Sequence, residues 1–310
     1  MNAFHRPLLD FLNRRHVARG VRLIEPLLRG RKRVLGFANP MYFSHRVVDR
    51  AGARYVVPAD NYIALGASPR QLVRFDGDEF EPEMSYLIDG LIEEHDVVLD
   101  VGANVGLHTV AFARRARKGH VFAFEPVAEM AEQAAANCAL NRLGNVTVLN
   151  YALGAAPAEL EMAVNVAGAG MQGTSSLVRT HNYEANPGDY AARKVPVRRL
   201  DDVIGALAPG RRIGFIKIDT EGYDTQVLEG GLDTIRRDRP AMLVEAHSRR
   251  IEAAGKSWQW FLDTFPDHHV FMVMPVTNLK PHAELVPLTP DQPEIAVNLL
   301  MVPRVPVLAA

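Results

Sequence analysis

The sequence of 310 residues has a single cysteine, no long apolar run and no excess of charge of either sign. One cysteine, Cys138, excludes an intrachain disulfide framework and a multi-cysteine zinc site, and it is typical of a reducing compartment. No stretch approaches the roughly 18 consecutive apolar residues that span a bilayer, and no signal-peptide core follows Met1. With 35 basic and 36 acidic residues, the chain lacks the positive charge of a general nucleic-acid binder. We therefore expect a soluble, cytoplasmic protein without a nucleic-acid partner.

The near-neutral net charge conceals a basic amino-terminal segment. Residues 1–35 carry nine Lys or Arg and two Asp or Glu, a charge of +7, which leaves −8 for the rest of the chain. Apolar residues recur there at helical spacing, namely Val17, Val21, Ile24 and Leu28. A basic amphipathic helix can make a peripheral contact with an anionic membrane. The alternative is a helix packed on its own domain, and Pro26 argues against one continuous helix.

Strand and helix patterns alternate through most of the chain, which predicts a doubly wound α/β sheet. The predicted strands are Val97–Val101, Val121–Phe124, Val146–Asn150, Ile213–Ile218, Ala241–Glu245, Val270–Met274 and Ala296–Val302. The predicted helices are Gly106–Arg117, Ala128–Asn141, Thr225–Arg236 and Ser257–Thr264. Short strands are also expected in Ala53–Ile63 and Gln71–Phe75. We divide the chain into a basic helical arm with short strands over residues 1–77 and a larger α/β domain over residues 78–310.

The alternation breaks between Ala155 and Arg199. Two strands, Glu159–Val164 and Lys194–Arg198, flank a long irregular connection that is rich in Gly, Ser and Thr. Loops of that length are uncommon unless they are functional or disordered. Residues 165–193 are therefore a candidate substrate lid, with a disordered insertion as the alternative.

A glycine-bearing turn follows the first strand of the α/β domain. Asn104 stands where a dinucleotide-binding fingerprint has its second glycine, which disfavours a pyrophosphate site. Asp100, at the strand end, offers a carboxylate that suits a ligand with an amino group. The next strand ends at Glu125, about twenty residues further on, where an acid accepts hydrogen bonds from both ribose hydroxyls of an adenosine. S-adenosyl-L-methionine carries both groups and is the predicted cofactor; the alternative is a strand–helix turn without a ligand.

The segments DVGANVG, FAFEP, NYALG and IKIDTEGYDTQVLEGG resemble the FkbM family of S-adenosylmethionine-dependent methyltransferases. The resemblance covers roughly residues 78–250 and includes Phe80–Met84 and Gly173–Leu177. It implies a Rossmann-like class I methyltransferase fold, with a seven-stranded sheet whose last strand is antiparallel. It also implies a cofactor site, in which Glu125 holds the ribose hydroxyls and Pro126, Asn150 and Ala152 border the adenine. The methionine and ribose part would be lined by Asp100, Gly102, Ala103, Asn104 and Gly106.

Acidic residues and a histidine lie at the ends of the fourth and fifth predicted strands of the α/β domain. Ligands of doubly wound sheets bind beyond these carboxyl ends. Methyl transfer to a hydroxyl requires a base within hydrogen-bond reach. The fourth strand is followed by Asp219 and Glu221, and the fifth ends at Glu245 and His247, which share a face if the strand continues. Glu81 and Glu83, before the glycine strand, could reach the same cleft. Asp219 or His247 is the predicted base, with Glu221, Glu245 and Glu81 as further catalytic candidates.

Each of these residues also has a structural interpretation. Asp219 could cap the following turn, and His247 could simply be hydrogen-bonded at a strand end. His108 is expected to pack rather than to act in catalysis. The spacing of the acids does not require a metal ion, and none is predicted.

The leading hypothesis is a methyltransferase that methylates a hydroxyl of a sugar, glycan precursor or secondary metabolite. The alternatives are an N-methyltransferase of the same fold, an NAD-type oxidoreductase and a non-catalytic cofactor-binding protein. The acceptor, whether a small molecule or a glycan, and the oligomeric state are not specified by the sequence.

Overall fold

The computed structural model describes residues 45–50, 53–58, 87–88, 90–166, 175–178, 181–274 and 284–304. The basic segment 1–35, the strand expected at Gln71–Phe75 and the candidates Glu81 and Glu83 lie outside the described residues. The membrane contact and the division at residue 77 therefore stay predictions. Among the described residues, no helix is long and apolar enough to cross a membrane.

Thirteen strands and eight α-helices make up the described part of the chain. The strands are β1 (His45–Arg50), β2 (Ala53–Pro58), β3 (Val97–Val101), β4 (His120–Phe124), β5 (Val146–Leu149), β6 (Ala152–Gly154), β7 (Ala158–Asn165), β8 (Tyr190–Arg199), β9 (Ile213–Ile218), β10 (Ala241–His247), β11 (His268–Met274), β12 (Glu284–Pro287) and β13 (Ala296–Pro303). The helices are α1 (Leu107–Arg115), α2 (Ala128–Leu140), α3 (His181–Ala185), α4 (Leu200–Leu207), α5 (Asp224–Gly230), α6 (Leu232–Asp238), α7 (Ser248–Ala253) and α8 (Trp258–Thr264).

An eight-stranded sheet forms the centre of the protein, in the order β12-β11-β13-β10-β9-β3-β4-β5. Strands β5, β4, β3, β9 and β10 run parallel, whereas β13 is antiparallel to both of its neighbours. The chain winds from β3 outward to β5 and then returns to the other side of β3 with β9. The order of strands thus reverses between β3 and β9, and ligands of such sheets bind in the crevice beyond the carboxyl ends at this point.

The doubly wound α/β fold and the antiparallel last strand are confirmed, but the expected count of seven strands is wrong for the described sheet. The eighth strand, β12, pairs with β11 at one edge. It lies between the predicted strands Val270–Met274 and Ala296–Val302, where no strand was predicted. Four residues that are mostly exposed and end in proline carry little of the alternation that marks a strand.

The central strands are mostly apolar because both faces of the sheet are covered, with Asp100 in β3 and Lys217 in β9 as charged exceptions. All five residues of β3 are buried. Leu99 belongs to a core cluster with Ile216 and Phe261 on one face. Val98 belongs to a second cluster with Phe112 and Phe215 on the other. The alternation along the strand therefore buries one set of side chains on each face.

Two smaller sheets complete the described fold. Strands β6, β8 and β7 form a three-stranded sheet, in which β7 and β8 match the two strands expected around the long connection. The other is the hairpin of β1 and β2. The hairpin is joined to α2 through Asn141, whose Oδ1 accepts a hydrogen bond of 2.8 Å from the backbone N–H of Arg54.

One predicted helix is divided in the structure. The pattern over Thr225–Arg236 predicted a single helix, but α5 ends at Gly230 and α6 begins at Leu232. A side chain at Gly230 would lie 2.0 Å from the carbonyl oxygen of Gly154 in β6, so the close approach of the small sheet requires glycine there. Helices α3, α4 and α7 and strand β6 are short and were not predicted.

Candidate active site

A cavity of about 190 Å³ opens at the carboxyl ends of β3, β4, β9 and β10. Its lining comes from the glycine turn, the end of β4, the loop after β9 and the small sheet. The residues that line it and bear on function are Gly102, Ala103, Asn104, His108, Glu125, Pro126, Met130, Ala152, Leu153, Met162, Ser175, Leu177, Lys217, Asp219, Thr220, Glu221, Tyr223 and Glu245. This is the crevice that the strand order predicts for a ligand.

The glycine turn is shaped by close contacts with two other strand ends. Gly102 has φ +83°, and a Cβ there would lie 1.8 Å from the backbone carbonyl oxygen of Asp219. The backbone N–H groups of Gly102 and Ala103 both donate to the carbonyl of Phe124, at 3.0 and 3.1 Å. Glycine is needed at this position because it tolerates both the left-handed backbone and the contact. The turn therefore fixes the ends of β3, β4 and β9 relative to one another.

Glu125 lies in the cavity wall at the end of β4, where the sequence predicted a ribose-binding acid. Its Oε2 accepts a hydrogen bond of 2.8 Å from the N–H of Asn104, and its Oε1 accepts one of 2.9 Å from Val127. Burial raises the pKa of Glu125 to about 7, although the two backbone donors act in the opposite direction. The carboxyl is thus held by the backbone, and each of its oxygens retains capacity for a second donor.

Asp100 does not line the cavity. Its side chain is fully buried, and Oδ2 accepts a 2.5 Å hydrogen bond from the hydroxyl of Thr109 on α1. No donor among the described residues reaches Asp100 Oδ1. Burial raises the pKa of this carboxyl, while the charge of Lys217 lowers it. The structure thus places Asp100 behind the cavity wall that it was expected to line.

The other predicted cofactor-binding residues divide into two groups. Gly102, Ala103, Asn104, Pro126 and Ala152 line the cavity. Gly106 packs against Ala134 of α2, and the side-chain amide of Asn150 donates to the carbonyls of Glu125 and Pro126. These last two therefore shape the cavity from outside its lining.

Three carboxylates meet at the opposite wall. Asp219 and Glu221 follow β9, Glu245 lies in β10, and oxygens of all three lie within 4.8 Å of one another. Two cations pair with them. Lys217 Nζ lies 3.0 Å from Asp219 Oδ2. Arg250 of α7 contacts Glu221 at 2.7 Å and Glu245 at 2.8 Å.

The loop after β9 is fixed by Asp224, the first residue of α5. Its Oδ1 accepts hydrogen bonds of 2.8 Å from both the backbone N–H and the hydroxyl of Thr220, and its Oδ2 accepts one of 3.1 Å from Gly222. Glu221 lies between them with φ +56°, an uncommon backbone conformation for a residue other than glycine. The loop thus presents Asp219 and Glu221 to the cavity in a defined conformation.

The three acids differ in their proton affinities. Burial acts to raise the pKa of Asp219, but the charge and hydrogen bond of Lys217 bring it below the ordinary value. Burial and the charge of Asp219 raise the pKa of Glu221 to about 7 and that of Glu245 to about 10, against the opposing effect of Arg250. The surroundings thus favour the carboxylate form of Asp219 and the protonated form of Glu245.

Neither histidine considered in the sequence has the geometry of a base. Strand β10 continues to His247 as required, but this residue does not line the cavity. Its Nδ1 accepts a 3.3 Å hydrogen bond from the N–H of Arg249 at the start of α7. His108 lines the cavity and stacks on Phe112 with ring centroids 5.9 Å apart. Burial and the charge of Lys217 lower the pKa of His108 to about 3, so the ring is neutral.

Residues from the long β7–β8 connection also reach the site. Ser175 and Leu177 line the cavity, and the hydroxyl of Ser176 donates a 2.8 Å hydrogen bond to the carbonyl of Glu221. A lid function for residues 165–193 stays a prediction, because residues 167–174 and 179–180 lie outside the described part.

Two functional side chains were not singled out from the sequence. Lys217 precedes Asp219 by two residues, a spacing that places both on one face of a strand and could have identified it. Arg250 lies beyond β10 in a helix that was not predicted, so no sequence signal connected it with Glu221 or Glu245.

The described sheet defines a Rossmann-like, doubly wound α/β protein with a cavity at the switch point. A model of the methyltransferase FkbM domain matches residues 100–278, more than half of the chain. The protein belongs to the FkbM methyltransferase family.

Two curated relatives and one solved structure illustrate the similarity. AMB antimetabolite synthetase AmbE of Pseudomonas aeruginosa is 30% identical over 205 residues, which are 56% of this chain and 9% of that protein. Methyltransferase 1 of Beauveria bassiana is 26% identical over 145 residues, covering 43% of this chain and 57% of that protein. The chain thus spans well under two thirds of either relative. The structure of methyltransferase FkbM from Methylobacillus flagellatus is 18% identical, with a TM-score of 0.41, over 68% of this chain and 45% of that one.

Proposed function

We propose that this protein is an S-adenosylmethionine-dependent methyltransferase that methylates a hydroxyl of a sugar, glycan precursor or secondary metabolite. One observation carries the proposal. The Asp219 carboxylate, kept ionised by Lys217 at 3.0 Å, faces the same cavity as Glu125 and the glycine turn. Family membership supports methyl transfer, and the carboxylate supplies the base that a hydroxyl acceptor needs.

The residues at the β3 and β4 ends fit an adenosine that carries an amino acid. Glu125 offers two acceptor oxygens to ribose hydroxyls, and Pro126, Met130 and Leu153 give an apolar surface for a flat base. Among the described residues, no donor reaches Asn104 Oδ1, although this oxygen is buried and Asn104 lines the cavity. A buried polar atom without a partner is costly, and a hydroxyl or amino group of the ligand would satisfy it.

When bound, S-adenosylmethionine supplies a methyl group on a positively charged sulfur. An acceptor oxygen would form a new C–O bond to that methyl group, and the electron pair of the broken C–S bond would remain on sulfur. Asp219 accepts the hydroxyl proton as this bond forms, and the products are a methyl ether and S-adenosylhomocysteine. Holding the three reacting atoms in line contributes most of the rate enhancement.

The geometry distinguishes among the predicted catalytic residues. We take Asp219 as the base because it lines the cavity and Lys217 lowers its pKa, whereas burial and the neighbouring acids raise the pKa of Glu245. His247 is turned to α7 and lies outside the lining. Glu221 and Glu245, held by Arg250, are placed to hydrogen-bond the acceptor. The absence of a metal requirement stays a prediction.

Calorimetry with S-adenosylhomocysteine tests the cofactor site. Wild-type protein should bind, Glu125→Ala should abolish binding, and Asp100→Ala should weaken it indirectly, because Asp100 lies behind the cavity wall and supports the glycine turn. Glu129→Ala is the matched control, since Glu129 is an exposed acid on α2 that pairs with Arg193. Undiminished binding in both site variants would refute the assignment.

Incubation with ¹³C-methyl-labelled cofactor and fractionated cell extract tests the acceptor class. The label should appear in a methyl ether, whereas an N-methyl product would favour the alternative. Asp219→Asn should retain cofactor binding and lose about 10²- to 10⁴-fold in turnover. Normal turnover by this variant would show that Asp219 is not the base.

A further inference from the structure

Lys217 is a buried lysine in the centre of the main sheet. It lies on β9 between Ile216 and Ile218, and its side chain is 5% exposed. Burying an ammonium group is costly unless it is paired. The pairing here is with Asp219, whose Oδ2 lies 3.0 Å from Lys217 Nζ.

The sheet places Lys217 between two carboxylates. Asp219 lies two residues further along the chain and therefore on the same face. Asp100 is the register partner of Lys217 on the neighbouring strand β3. Asp100 already accepts a hydrogen bond from the hydroxyl of Thr109. Among the described residues, Lys217 is the cation that lies within hydrogen-bond distance of Asp219.

We propose that Lys217 is a positioning residue that holds Asp219 as an ionised, oriented base. The ammonium fixes one oxygen of Asp219 and leaves the other to accept the proton of the acceptor hydroxyl. This role rests on the proposed function, because it assumes that Asp219 is the base. It also gives a reason for a buried lysine in a strand whose adjacent residues, Ile216 and Ile218, are apolar.

Other titratable groups surround the pair from every side. They are Asp100 on β3, His108 on α1, Glu125 on β4, Glu221 in the loop after β9, Asp224 on α5, Glu245 on β10 and Arg250 on α7. Arg250 is bonded to Glu221 and Glu245. Without Lys217, Asp219 would face burial and several acids with no cation in contact, so its pKa would rise.

The full-length protein labelled with [¹³Cγ]aspartate permits a test that does not need the acceptor. The Asp219 carboxyl signal is assigned by its loss in Asp219→Asn and followed from about pH 5 to pH 9 by NMR. In the wild type it should stay ionised throughout. In Lys217→Met it should titrate within this range, because the proton affinity of Asp219 should be at least about tenfold higher than in the wild type.

Two further variants separate charge from packing. Lys217→Arg retains the charge and should keep Asp219 ionised. Lys118→Met removes a lysine that pairs with Glu94 near the amino ends of β3 and β4, away from the cavity, and it should change nothing at Asp219. If Lys217→Met does not fold, Lys217→Gln removes the charge with a polar side chain of similar length.

An Asp219 signal that stays ionised in both Lys217→Met and Lys217→Gln overturns the proposal. Once an acceptor is known, the acid limb of kcat against pH should move upward in Lys217→Met, with KM for the cofactor unchanged. An equal loss of rate at every pH would instead show a merely structural role. The carboxyl titration does not depend on turnover, so failure of Asp219 as the base is detected separately by Asp219→Asn.

Discussion

Replacing Gly102 by alanine should disrupt both the fold and the cofactor site, because this glycine is in contact with the loop that carries Asp219. An L-residue at φ +83° costs about 1–2 kcal/mol. The new Cβ would lie 1.8 Å from the backbone carbonyl oxygen of Asp219. Neither atom can move away unless the backbone itself moves. Relieving such a contact by movement of the backbone costs about 1–3 kcal/mol. We therefore expect Gly102→Ala to lower the free energy of unfolding by about 2–5 kcal/mol.

The movement would also separate β3 from β9 at the cavity. The N–H of Asp219 donates a 3.0 Å hydrogen bond to the carbonyl of Val101, next to Gly102. We expect the affinity for S-adenosylhomocysteine to fall with the stability. Urea denaturation followed by far-ultraviolet circular dichroism measures the first effect, and calorimetry measures the second.

A second glycine provides the matched control. Gly205 lies inside α4, and a Cβ there would meet nothing within 4 Å. Gly205→Ala should leave binding unchanged and stabilise the protein by up to about 1 kcal/mol, because alanine is the better helix former. A Gly102→Ala protein that unfolds within about 0.5 kcal/mol of the wild type and binds normally would refute the reasoning.

Two further predictions concern other parts of the site. Burial raises the pKa of Glu125 from 4.5 to about 7, so the folded state binds its proton more tightly than the unfolded state. The free energy of unfolding should therefore fall as the pH rises from about 4.5 to about 7, and Glu125→Gln should remove up to about 3 kcal/mol of that fall. Urea midpoints at pH 5 and pH 8 measure it, and an unchanged pH dependence would contradict the assignment. Asp224→Ala removes the acceptor of three hydrogen bonds from Thr220 and Gly222 and should cost about 2–4 kcal/mol in thermal or urea unfolding. Asp224→Asn retains one acceptor oxygen and should lose less, so equal stability of both variants with the wild type would be incompatible with this role.

Much of the fold could be predicted from the sequence because the central strands are short, apolar and buried on both faces. Val97–Val101 and Ile213–Ile218 were predicted with the bounds that the structure has. Strand β12 and helix α7 were not predicted, because each is too short to show a regular spacing of apolar residues. Helix α5 ends at Gly230, where the chain closely approaches Gly154 of β6, and such an approach between distant parts of the chain is not visible in the sequence pattern.

The sequence by itself determined which acids stand at the carboxyl ends of the strands, since parallel strands bring their ends to one edge. It therefore identified Glu125, Asp219 and Glu245 as residues of one site. Only the tertiary structure decided their protonation, because this depends on burial and on cations brought from elsewhere. Lys217 keeps Asp219 ionised, whereas burial and the neighbouring acids outweigh Arg250 and leave Glu245 protonated. A carboxyl group thus has a lowered proton affinity at one strand end and a raised one at the other, and its three-dimensional surroundings are the physical reason.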